Sequence, residues 1–403
     1  MDTLPIKRKK QRRSSARKNS SPIVFLPEEL LAEILPFFNV KTIMRLKCLS
    51  KSWMTFISDS NFVQKHLKNS SQNPHFTLFW LQRDYISLNV VPFPVYRLLK
   101  NPGVNLYYSK TFQRSKHCLE KRCEFVGSCN GLLCLRFYSQ TVAYTVQLCF
   151  WNPATGTKSE KLGSLCYSNF DLGLFNFTFG YDASTRTYKV VAFRARENEG
   201  SWKSEVKVFS VGHNCWRNIQ SFPIVPYNWL DKYRCLNEGM HFSGTVNWLA
   251  LDKSITQVEQ FVIVSLDLLT ETYKQFLLPP GFDEVPFSHP NLRVLMDCLC
   301  FSYDSKKTEF VLWQMKEYGV QESWNQLFQI SLQYLQMHRP MHNDGFQLAC
   351  LYVNGDRVIF ADEFRNRAFI YNLKDKTVTI IKSKNVIHWF AKAKDYVESL
   401  VSV

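Results

Sequence analysis

Long apolar runs are missing from this 403-residue chain: none reaches 18 residues, so no membrane-spanning helix is expected. The longest uncharged stretch, 137–157, is broken by Gln147, Asn152 and Pro153 and reads as strands and a turn. An apolar leader core is also absent near the start, where Lys7, Arg8, Lys9, Lys10, Arg12 and Arg13 stand instead, so no secretory signal is expected and the chain is placed inside the cell. None of the twelve cysteines forms a Cys-x-x-Cys pair. The nearest cluster, His117-Cys118 with Cys123, Cys129 and Cys134, lacks the two-residue knuckle of structural zinc, so neither metal nor disulfides are expected and the thiols read as core residues. Glycine (15) and proline (16) are too scarce for a collagenous or low-complexity chain. Acidic residues are the minority, 34 against 50 basic, for a net charge of +16.

That charge is unevenly placed. The first 19 residues hold eight Lys/Arg against Asp2 alone, +7 of the total, which leaves +9 over the other 384. Residues 1–21 carry too little apolar surface to offset their ordering entropy and are expected to form a disordered basic tail. The run from Lys7 to Arg13 suits either nuclear import or a solubilising role, which places the chain in the cytoplasm, the nucleus or both. In the remainder, basic residues are scattered rather than interleaved with rings, so nucleic-acid binding is not expected. With 45% apolar and 15% aromatic residues, the body has the material for a large core.

The chain changes character near Leu67. Before it, Leu30, Leu31, Ile34 and Leu35 recur at helical spacing behind Pro27, with Glu28, Glu29 and Glu33 on the other side. Pro36 and Asn39 end that helix. Val40, Ile43 and Met44 mark a second helix, and Trp53, Phe56 and Ile57 a third that begins near Ser50, a suitable N-cap. A three-helix module this small cannot hide all of its apolar residues, so the surplus packs either on the rest of the chain or on a partner. From Phe76 onward, short alternating apolar runs bounded by Asn, Asp, Gly and Pro predict strands. One unit recurs: an aromatic or Leu, a polar residue, then a turn to a partner seven residues on. Examples are Tyr181-Asp182 to Tyr188, Phe209-Ser210 to Trp216, Leu266-Asp267 to Tyr273, Tyr303-Asp304 to Phe310 and Tyr371-Asn372 to Val378, with Trp151-Asn152 opening similarly. These hairpins start 30, 28, 57, 37 and 68 residues apart, a loose repeat that fits propeller blades of uneven length, with a β-sandwich as the alternative.

Leu26-Pro27-Glu28-Glu29-Leu30-Leu31-Ala32-Glu33-Ile34-Leu35, followed by Val40-Lys41, Arg45-Leu46-Lys47-Cys48 and Leu49-Ser50-Lys51-Ser52-Trp53, resembles an F-box. Phe37-Phe38-Asn39 departs from the pattern, since relatives usually have a basic residue followed by Leu-Pro there. The resemblance implies docking on the Skp-type adaptor of a cullin-RING ubiquitin ligase. It carries the contact role to Leu26, Pro27, Leu30, Leu31, Ile34, Leu35, Val40, Ile43, Met44, Leu46, Cys48, Leu49 and Trp53, some of which must instead be the module's own core. The later segments resemble the F-box-associated, kelch-like domain of plant F-box proteins. They are Gly127-Ser128-Cys129-Asn130-Gly131-Leu132-Leu133-Cys134, Trp151-Asn152-Pro153-Ala154-Thr155-Gly156, Phe179-Gly180-Tyr181-Asp182, Tyr188-Lys189-Val190-Val191, Gly244-Thr245-Val246-Asn247-Trp248-Leu249-Ala250, Trp313-Gln314-Met315-Lys316-Glu317-Tyr318-Gly319-Val320 and Tyr396-Val397-Glu398-Ser399-Leu400-Val401.

The resulting expectation is a mainly β protein of class α+β: a disordered tail (1–21), an F-box (22–67) and a propeller-like recognition domain (68–403). Phosphate-loop, zinc-protease and nucleophile-elbow motifs are absent, and His241, His289 and His388 read as packed or surface residues rather than general bases. No catalysis and no cofactor are expected. The resemblance implies a receptor that binds the adaptor, and through it cullin and RING protein, and presents a target protein for ubiquitination. The alternative is a glycan-binding propeller or a propeller enzyme that carries an F-box.

Overall fold

The helical module is built by its caps. In the computed structural model, which describes residues 27–81, 88–104, 122–140, 144–168, 174–198, 201–226, 239–252, 260–280, 282, 290–306, 308–335, 348–362, 367–383 and 393–402, α1 (Glu28–Ile34) begins where the Pro27 carbonyl accepts the Leu30 and Leu31 N–H groups. Pro36 then tightens the chain into a 3₁₀ turn, Leu35–Phe37. Asn39, Ser50 and Asp59 stand in extended conformation, and each side chain accepts N–H groups of the next turn. They start α2 (Val40–Lys47), α3 (Lys51–Ser58) and α4 (Ser60–Ser70). The expectation of three helices omitted α4, because the cap at Asp59 splits an apparently continuous helical stretch. His66 of α4 is fully buried and directs Nε2 at the Phe38 carbonyl, 3.0 Å away, while Nδ1 lies 3.4 Å from the Ser70 hydroxyl. This ties α4 to the Phe37–Asn39 turn.

Five antiparallel four-stranded sheets follow. Blade one is Arg122–Cys129, Leu132–Gln140, Tyr144–Trp151 and Leu162–Tyr167, and blade two is Asn176–Asp182, Thr187–Asn198, Ser201–Ser210 and Cys215–Ile219. Blade three is Met240–Phe242, Thr245–Asp252, Gln260–Asp267 and Tyr273–Leu277; blade four is Asn291–Leu295, Cys298–Ser305, Glu309–Met315 and Trp324–Ser331. Blade five is Leu348–Asn354, Arg357–Asp362, Arg367–Asn372 and Val378–Ile380. The sixth blade joins the chain's two ends: Leu88–Pro94 pairs with His75–Leu81, which pairs with the late strand Lys394–Tyr396. First strands of successive blades neighbour one another, and Lys394–Tyr396 neighbours that of blade one, so the six sheets close a propeller.

The recurring unit is a hairpin, with Tyr181 opposite Tyr188, Phe209 opposite Trp216, Leu266 opposite Tyr273 and Tyr371 opposite Val378. Its spacing is uneven because it mixes turns of different order. Trp151, Phe209, Leu266 and Tyr371 end third strands, whereas Tyr181 ends a first strand and Tyr303 lies near the end of a second. Third strands themselves start at Tyr144, Ser201, Gln260, Glu309 and Arg367, 57, 59, 49 and 58 residues apart.

Neighbouring blades are latched by polar groups. The Tyr318 hydroxyl, on the turn after the third strand of blade four, donates to Asn247 Oδ1 (2.7 Å) and meets the Thr245 and Ser265 hydroxyls at 2.7 and 2.8 Å, all in blade three. Lys189 of blade two, almost fully buried, donates to the Leu268 carbonyl and lies 3.6 Å from Glu271, which Arg217 grips at 2.6 Å. Among the ten described cysteines, Cys129, Cys134, Cys149, Cys300 and Cys350 are buried as core thiols, while Cys48, Cys166 and Cys215 are exposed. The core expectation therefore applies to half of them. No described helix is long and apolar enough to cross a membrane.

Candidate functional site

The helical module has two faces, and burial separates them. Leu35, Val40, Ile43, Ile57 and Phe62 close an inner core with Leu400. Of the positions that carry the motif, Leu35, Val40 and Ile43 are those taken into the module's own core. Leu31, Met44, Leu46 and Trp53 are half-buried against the same core. Leu30 and Ile34, one turn apart on α1, are each 48% exposed, and Leu49 is 67% exposed; Pro27 and Cys48 are also exposed. Leu26 and the basic run Lys7, Arg8, Lys9, Lys10, Arg12 and Arg13 lie outside the described residues.

Three apolar residues that the motif did not single out join the exposed set: Phe37 (74% exposed), Phe38 and Met54. Phe37 and Phe38 occupy the position of departure from the usual pattern, and the run of two rings after Pro36 was the available signal. Six of the fourteen large apolar side chains exposed among the described residues thus fall within positions 30–54. That concentration marks an interface, because soluble surfaces scatter such residues singly. Lys41, Arg45 and Lys51 are exposed within the same module and suit an acidic partner surface, whereas Lys47 lines the cleft beneath it.

The module sits on one face of the propeller, the face of the turns between first and second and between third and fourth strands. A cleft of about 310 Å³ separates the two parts, lined by Met44, Lys47 and Ser60 on one side and by Thr155, Thr157 and Arg186 on the other. Arg186 donates to the Ser60 hydroxyl at 3.1 Å. The strand ends on the opposite propeller face lie away from the described helices.

On the propeller axis, a cavity of about 340 Å³ is lined by Thr178, His241, Arg293 and Asp395 among others. His241 is packed rather than placed as a base: Nε2 lies 3.1 Å from the Tyr181 N and 2.9 Å from the Tyr181 carbonyl oxygen, Nδ1 lies 3.6 Å from the Cys129 thiol, and burial lowers its pKa. Asp395 is exposed to the cavity, and desolvation there raises its carboxyl to about 6 in spite of Arg293 and Lys394 nearby. His289 and His388 lie outside the described residues. Among the described residues no group of three His, Cys, Asp or Glu is placed to hold a metal ion.

Residues 23–65 match the F-box domain model, and residues 98–403 match that of the F-box associated beta propeller domain. An F-box/kelch-repeat protein of Arabidopsis thaliana is 28% identical over 392 residues, covering 94% of this chain and 95% of its own length. The F-box protein CPR1 of the same plant is 23% identical over 385 residues, covering 89% of this chain and 85% of its own length. F-box/WD-40 repeat-containing protein 1, also from that plant, is 24% identical over 377 residues, covering 87% and 79% respectively. With an N-terminal helical module that exposes the F-box motif and a six-bladed body matched over three quarters of the sequence, the chain belongs to the plant-type F-box proteins with an F-box-associated β-propeller domain.

Proposed function

We propose that this chain is the substrate receptor of a Skp-cullin-F-box ubiquitin ligase: the F-box holds the Skp-type adaptor, and the propeller holds a target protein for ubiquitination and degradation. The observation that carries the reading is the exposed apolar set Leu30, Ile34, Phe37, Phe38, Leu49 and Met54, kept apart from a module core that is already complete without it. The receptor performs no chemistry of its own. Holding a target lysine near a conjugating enzyme converts a bimolecular encounter into a local one, and effective concentration does the rest. The propeller face opposite the F-box is the one left for the target.

The test is co-purification of the full chain with a Skp-type adaptor, beside the Leu30→Asp, Ile34→Asp double variant. Both positions are half exposed in the free chain, so the variant folds, yet docking must bury two unpaired carboxylates at a cost of several kcal/mol. The expected loss of affinity is at least about 100-fold. A wild type that does not bind, or a variant that binds as tightly, overturns the reading.

A further inference from the structure

We infer that the last residues of the chain are the mount that fixes the F-box on the propeller, and that Asn152 is the positioning residue of that mount. The inference rests on the receptor reading for its functional meaning, because the angle between F-box and propeller sets which lysines of a bound target reach the conjugating enzyme.

The geometry is built residue by residue. Lys394–Tyr396 completes the sixth blade, and Tyr396 packs among Leu133, Leu135, Phe137 and Trp151 of blade one. The chain then runs past Gly131, whose φ is +82° and where a Cβ would fall 2.6 Å from the Val397 carbonyl oxygen and collide with the Ser399 side chain. Only glycine admits so close a passage. Ser399 is fully buried, as is Asn152, and the Asn152 amide Nδ2 donates to the carbonyls of Ser399 (2.9 Å) and Val401 (2.8 Å). Its Oδ1 accepts the Ala154 N–H at 2.9 Å, which holds the amide plane in place from the other side. Between those two anchored carbonyls, adjacent side chains diverge. Leu400 enters the F-box core with Leu35, Val40, Ile43, Ile57 and Phe62, whereas Val401 enters the core of blades one and two. Neighbouring residues of an extended segment point to opposite sides, so the segment forms a layer between the two parts and is bonded to both. Val63 of α4 meets the same blade core beside Val401.

This arrangement separates two jobs. Pairing of Lys394–Tyr396 with His75–Leu81 closes the ring; the Asn152 bonds set where Leu400 stands, and with it the F-box. The experiment places donor and acceptor dyes, through unnatural amino acids, at the exposed positions Thr55 and Lys274 of the full chain and reads the single-molecule distance distribution. Wild type is expected to give one narrow peak. Asn152→Ala, and independently Leu400→Ala, are expected to lose it for a broad distribution while the propeller still melts cooperatively and the adaptor, which meets Leu30 and Ile34, still binds. Tyr318→Phe, which weakens blade contacts elsewhere, is the control and keeps the narrow peak. A narrow peak in both Asn152→Ala and Leu400→Ala, or equal broadening in the control, overturns the inference. Adaptor binding is read separately, so its failure in wild type sinks the receptor reading while the distance distributions still decide the mount.

Discussion

Replacing Tyr318 by Phe removes one oxygen and nothing else, which makes it a clean probe of how the blades hold together. The hydroxyl donates to Asn247 Oδ1 at 2.7 Å and lies within bonding distance of the Thr245 and Ser265 hydroxyls. Asn247 is fully buried, and its amide nitrogen is already committed to the Met240 carbonyl (3.2 Å) and the Thr245 hydroxyl (3.0 Å). In the variant Oδ1 loses this donor in a place water does not reach, while Thr245 still has the Phe242 carbonyl as an acceptor at 2.8 Å. One lost bond and one orphaned acceptor together cost about 2–4 kcal/mol. For a domain of this size each kcal/mol moves the melting temperature by roughly 2 °C, so differential scanning calorimetry should show a fall of roughly 4–8 °C. A double-mutant cycle with Asn247→Ala should return a coupling of about 1–2 kcal/mol, because the two residues share one network. A melting temperature within about 1 °C of wild type, against that expected fall, would refute the view that this turn latches blade four to blade three.

Acid should loosen the structure before it titrates ordinary carboxylates. Burial lowers the pKa of His66, His75 and His241 below the unfolded value near 6.5. The unfolded chain therefore binds more protons, and the stability these residues contribute is intact above pH 6.5 and lost as the pH falls through 6.5 towards their native values. Asp395, raised to about 6, acts in the opposite sense and gains stability as the pH falls through 6. Melting temperature should drop between pH 7.5 and 5.5, and drop further in Asp395→Asn; a flat or rising profile in that variant contradicts the assignment. Maleimide labelling mapped by mass spectrometry should mark Cys48, Cys166 and Cys215 in the native chain. Cys129 and Cys300, whose burial pushes both thiols up to about 12, should label only after unfolding, and labelling at equal rates would contradict their enclosure.

The hairpins were legible because most carry their pattern locally, a polar residue that bends the chain with large side chains facing one another across it; Tyr303 is the exception, standing opposite Val311 rather than Phe310. The blade period was not, since Tyr181 and Leu266 look alike in sequence although one closes a first strand and the other a third. Ser50 was readable as a cap, and so was the end of α1. Asp59 was hidden because α3 and α4 are both apolar enough to pass for one helix. At the candidate site, the motif found the right region but not the sides of it. Leu30 and Leu35 are the same residue type five positions apart, and which one is buried is decided by a core shared with Val40, Ile43, Ile57, Phe62 and the distant Leu400. The sixth blade is beyond local reading for the same reason, being assembled from both ends.

That assembly also dictates an order of events during synthesis. Thr77 finds its partner Lys394 across 317 residues, so His75–Leu81 must wait beside an unfilled edge until Lys394 has left the ribosome. A strand kept waiting is an aggregation template, and contacts this distant in sequence form slowly. The F-box core waits too, since Leu400 follows Lys394 along the chain. A product cut short by a premature stop thus has an open ring and an incomplete helical core at once, and it exposes apolar surface at both ends. The same short segment, 394–401, closes the ring and completes the helical core, so the two events are coupled.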